Sequence, residues 1–150
     1  MAAIVLAISA GLYLVAASAS SLPAPVLTGS VALGGITAEM LLGHWYLVSP
    51  RIPRRPLRRL AAIGAAGVAL DAAVVLSIGL PLIGSTVGLV VSLSLAGASF
   101  LLMSAVWLVL RYPSYPGVMA ATGLSYLAVL TSLGSVSMVR VLAVGEAPLR

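Results

Sequence analysis

Of the 3 acids and 1 histidine that could carry proton chemistry, all but Glu146 stand in apolar surroundings: Glu39 and His44 in TAEMLLGHWYLV, and Asp71 in AAGVALDAAVVL. Carboxyls and imidazoles exchange protons with water, and histidine does so nearest neutral pH. Other chemistries lack their residues. The chain has 0 cysteines, which removes disulfides, thiolate metal sites and cysteine nucleophiles together. It contains no G-x-x-x-x-G-K-[ST], G-x-S-x-G or H-E-x-x-H, so neither phosphoryl transfer nor hydrolysis is expected and the chain is not read as an enzyme. Glu39, Asp71 and His44 could in principle gather a cation. However, His44 follows Glu39 by five residues, about 140 degrees around a helix, which argues against a compact metal site. Haem is not expected either, because a second His is lacking and Met40 or Met103 would have to serve as axial ligand.

The elements that must position these groups follow from composition. Of 150 residues, 61 % are hydrophobic and 7 % charged, against roughly a quarter charged in soluble domains. The solvent for most of the chain is therefore lipid. A membrane-spanning helix needs about 20 apolar residues, and five segments qualify: residues 2–20, 26–48, 60–80, 85–110 and 118–142. The expected fold is all-α, a polytopic transmembrane bundle in one integral membrane domain. The breaks SSLPAP and LPLIGS are uncharged, whereas SPRIPRRPLRR and RYPSYPG carry arginine. By the positive-inside rule, Arg51, Arg54, Arg55, Arg58 and Arg59 set residues 51–59 on the cytoplasmic side, with Arg111 also inside and the C-terminus outside. Arg140, near the outer end of the last span, is expected to snorkel to the interface. No lysine, asparagine or glutamine occurs, which reads as a codon-biased bacterial genome and places the chain in the cytoplasmic (inner) membrane. The first segment has a second reading as a cleaved signal peptide, from AASAS at residues 16–20, although no positive n-region precedes it.

The last four spans read as a duplicated two-helix hairpin. At an offset of 60, Arg51 to Pro56 (RIPRRP) lies over Arg111 to Pro116 (RYPSYP), and Glu39 and Asp71 lie over Ser99 and Thr131. Two independently chosen Pro-Arg turns would give the same match.

Depth then connects the acids. Glu39 stands twelve residues before Arg51 and Asp71 twelve after Arg59, roughly 18 Å from the inner interface in each case. Gly35, Glu39 and Gly43 fall on one stripe, and Gly64, Gly67 and Asp71 on another; small residues let membrane helices approach closely. The expectation is therefore a midplane pair, Glu39 with Asp71, in one helix contact. Since lone carboxylates at that depth cost about 2.5 to 3.5 kcal/mol or more, the pair should hold at least one proton and titrate as a unit. No arginine is expected to neutralise it. Tyr126, Ser99 and Tyr13 are the expected hydroxyl partners. Either acid could instead serve as hydrogen-bonded packing glue.

His44 precedes Trp45 and Tyr46, aromatic residues expected at the interface, so the HWY triplet reads as an anchor or, alternatively, as a quinone-side proton relay. The arginine loop should attract anionic lipid; its charge is accounted for by topology and does not imply nucleic acid. Pro50, Pro53 and Pro56 should keep it extended, a surface on which a cytoplasmic partner could dock. The function these readings favour is proton-linked movement of a small solute or ion by a homo-oligomer or larger membrane complex, without a cofactor. The alternative is a non-catalytic subunit or anchor of a respiratory or redox complex with a quinone near His44.

Overall fold

The computed structural model describes residues 23–49, 53–83, 86–112 and 114–145. Four helices account for almost all of these: α1 (Pro23–Val48), α2 (Arg55–Ile83), α3 (Thr86–Val109) and α4 (Tyr115–Gly145). Each contains a stretch long and apolar enough to cross a membrane, the architecture of a multi-pass membrane protein. The expected first span, 2–20, lies outside the described residues, among which four spans are found.

Local chemistry explains where the helices begin. Pro56 and Pro116 each stand second in their helix, where the missing N–H would have no partner anyway and the fixed φ suits the first turn. Ser114 completes the start of α4 by accepting a hydrogen bond from Gly117 N at 3.1 Å. The arginine loop is thereby shorter than the sequence indicated. Arg55, Arg58 and Arg59 belong to the first turns of α2 rather than to an extended linker, because proline interrupts a helix at its interior and not at its start.

Short connections fold neighbours antiparallel. The tightest contacts are within the hairpins α1–α2 and α3–α4; α2 also packs on α3 and α1 on α4, with slight contact across the α2–α4 diagonal. The result is a square bundle. Beside an apolar core that includes Ile36, Leu57, Met103 and Val106, polar Glu39, Asp71, Ser92, Ser99, Thr122, Ser125, Ser132 and Ser135 are buried, whereas Leu41, Leu76, Val87, Leu101, Leu130 and Val141 face outward. Such a surface is stable only in contact with lipid or other apolar chains.

The two hairpins are held differently. In α1–α2 the backbones touch: a methyl added to Gly35 would stand 2.8 Å from Gly64 N, and one added to Gly67 would stand 2.7 Å from Ala32 N. In α3–α4, hydroxyls bridge the seam. Ser135 Oγ donates to Ser92 O at 2.9 Å, Ser92 Oγ reaches Ser135 O at 3.2 Å, and Ser99 Oγ meets Thr131 Oγ1 at 2.7 Å.

Candidate functional site: two separated acids

The glycine contacts fix the register of α1 on α2, with Gly35 opposite Gly64 and Ala32 opposite Gly67. Continuing that register places Asp71 beside Thr28, eleven residues from Glu39 along α1, or about 16 Å. The two acids therefore share neither a level nor a contact. The arginines misled the depth count because Arg59 lies inside α2 and does not mark a loop. Gly43 also leaves the expected stripe: a methyl there would stand 2.7 Å from Thr122 Oγ1 on α4, so α1 turns Gly35 toward α2 and Glu39 and Gly43 toward α4.

Asp71 sits toward the end of the bundle opposite the arginine turns. Thr28 Oγ1 donates to its Oδ1 at 2.7 Å, and Arg140 Nη2 forms an ion pair with the same oxygen at 3.3 Å. Arg140 Nη1 donates to Val136 O at 2.7 Å, and Nη2 also donates to Pro25 O. The guanidinium lies against Gly29, where a Cβ would collide with it at 2.1 Å. Arg140 thus turns inward to neutralise Asp71, contrary to both the snorkelling and the no-cation expectations. Its aliphatic stem spans from α4 to the start of α1 where Gly29 leaves room. The arrangement ties α1, α2 and α4 together, with charge satisfied by charge.

Glu39 has no such partner. It is 0 % exposed, and Ser125 Oγ of α4 is hydrogen-bonded to its Oε2. The same Oγ is 2.9 Å from Ala121 O. The one Ser125 proton is therefore either shared between Glu39 Oε2 and Ala121 O, or given to Ala121 O while a protonated carboxyl donates to Ser125. Glu39 Oε1 is buried without a hydrogen-bond partner. Ile36, Leu57, Ala61, Met103 and Ala121 are likewise buried and belong to the apolar core of the bundle.

The other expected site residues are dispersed. Tyr126 faces outward, 48 % exposed, and its neighbour Ser125 takes the place expected for it. Ser99 bonds to Thr131 rather than to an acid. Tyr13 and Arg51 lie outside the described residues. His44 and Trp45 face outward while Tyr46 is buried, its hydroxyl accepting from Arg54 Nε at 3.0 Å; the angular separation of His44 from Glu39 read from the sequence holds. Met103 lies in the core, whereas His44 faces outward. Among the described residues no three His, Asp or Glu side chains gather as metal ligands would. Sequence reasoning missed Ser125, Thr28 and Arg140. A signal for Arg140 existed, a lone arginine within a span, since such charges usually pair inside a bundle.

No protein-family model, curated protein or solved structure matches the chain. Fold and site together define a class: an apolar four-helix membrane bundle with one neutralised acid and one buried acid whose hydrogen-bonding capacity is only half used.

Proposed function

We propose that this chain is a multi-pass protein of a bacterial inner membrane, with the arginine turns on the cytoplasmic side, which couples proton binding at Glu39 to the movement of a small solute or ion. The observation that carries the reading is the unpartnered, fully buried Oε1 of Glu39. A buried polar atom without a partner costs on the order of 1 to 3 kcal/mol, and an ionisable residue within a membrane span is by default a functional candidate. The Asp71 clasp bears the structural load, which leaves Glu39 free to change state. Loss of its proton would place a charge against the α1–α4 seam and favour opening there. A second copy packed on the outward apolar faces would complete a path too narrow for one bundle.

The test is proton flux into proteoliposomes under an imposed pH gradient, followed with an enclosed pH-sensitive dye. Flux in the parent that is lost in Glu39→Gln, with helical content unchanged, is expected. Equal flux in the two proteins, or none in the parent, rejects the reading.

A second reading draws on a separate observation, the outward placement of His44 and the 60 % exposure of Trp45 close to the arginine turns. It makes the chain a non-transporting subunit or anchor of a redox complex with a quinone against that face. Isolation in mild detergent as a lone species without quinone counts against it.

A further inference from the structure

At the arginine end, Arg54, Arg55, Arg58, Arg59 and Arg111 come together with no acid beside them among the described residues. Arg54 is engaged by Tyr46 and by Tyr112 O, but Arg55, Arg58 and Arg59 line a cavity of about 260 Å³ whose other walls are Ala62 and Trp107. Arg111 lies 3.7 Å and Arg58 5.6 Å from the Trp107 ring centroid. Both described acids are elsewhere, Asp71 on Arg140 and Glu39 on Ser125. Like charges gathered on one short turn repel one another, and an anion relieves that repulsion.

The walls of this cavity continue into the bundle surface. Ala62 and Trp107 are shared with a second cavity of about 340 Å³, whose remaining walls are Ala65, Ser104 and Leu108. The Ser104 hydroxyl is turned onto Phe100 O at 2.8 Å, so this stretch is apolar in effect. Groove polarity therefore changes along the helix axis, from guanidinium at the end of the bundle to hydrocarbon farther in. Indole joins the two parts.

We propose that this α2–α3 groove binds an anionic phospholipid, with its phosphate among Arg55, Arg58 and Arg59 and one acyl chain along Trp107, Ala65 and Leu108. Charge complementarity selects the headgroup, because guanidinium donors pair with phosphate oxygens. The joined apolar cavity selects a lipid over a free anion. The site stands apart from Glu39 and survives failure of the transport reading.

Trp45 is the other of the 2 tryptophans, so in a Trp45→Phe background Trp107 alone reports. In detergent micelles, phosphatidylglycerol with brominated acyl chains should quench Trp107 at mole fractions where brominated phosphatidylcholine does not, and added salt should weaken the effect. In Arg55→Gln/Arg58→Gln/Arg59→Gln, half-maximal quenching should need roughly ten- to a hundredfold more phosphatidylglycerol, up to about fivefold per arginine. Equal quenching by the two lipids, or quenching indifferent to salt and to the triple substitution, overturns the site. Release of the brominated lipid by inorganic phosphate at comparable concentration assigns the cavity to a free anion and overturns the lipid. Should the triple variant lose its helical circular dichroism, the lipid comparison and salt titration in the Trp45→Phe protein decide.

Discussion

Asp71 and Glu39 come from successive helices, each is almost wholly buried, and each faces α4, yet their surroundings are opposite. Asp71 meets a hydroxyl and a guanidinium, the latter also bonded to two backbone carbonyls. Glu39 meets one serine hydroxyl and keeps an oxygen without a partner. The difference teaches that burial alone does not mark a functional acid. A charge matched by a charge serves as a brace, whereas a carboxyl held by a single hydroxyl keeps hydrogen-bonding capacity unused.

The strongest way to break this comparison is Asp71→Asn. It leaves Arg140, whose side chain is 22 % exposed, without its counter-charge; breaking such a pair costs about 3 kcal/mol, toward the lower end for a partly exposed cation. Denaturant or thermal unfolding in micelles should show that loss, and adding Arg140→Met should recover part of it. An additive double mutant would mean that the two side chains do not stabilise one another.

The next test concerns the backbone contact that sets the register separating the acids. Gly67→Ala places a methyl 2.7 Å from Ala32 N and should destabilise by about 1 to 3 kcal/mol through overpacking. Gly123→Ala is the control. That glycine has open space around it, and the change should be neutral or stabilising by up to about 1 kcal/mol. Equal effects at the two positions would remove the close approach as the determinant of register.

The smallest effect sharpens the comparison from the other side. In Glu39→Gln, the amide can donate to Ser125 as a neutral carboxyl would, so stability should change by less than about 1 kcal/mol while proton flux is lost. A cost rivalling that of Asp71→Asn would show instead that Glu39 is ionised and structural.

How much of this was legible beforehand varies with the question asked. The helices were, because about 20 apolar residues between Pro, Gly and Arg breaks can satisfy their backbone in lipid only as helices. Gly35, Gly64 and Gly67 were correctly marked as points of close approach. The Glu39–Asp71 pairing was not legible. Ser99 and Thr131, which lie 60 residues beyond these acids, do touch at 2.7 Å, so the pairing expected of the first hairpin is found in the second. The two hairpins share a sequence offset but not a register. One is fixed by glycine backbones and the other by hydroxyl bridges.

The sequence by itself determined that the chain forms apolar helices, that few charges are available to them, and that Glu39 and His44 look in different directions, since composition and the 3.6-residue period are properties of one strand of residues. Only the tertiary structure decided which helices slide past which, and so gave Asp71 to Arg140 and left Glu39 with Ser125. Sliding is governed by contacts between helices, and a helix read alone carries no mark of how far its neighbour has moved along it.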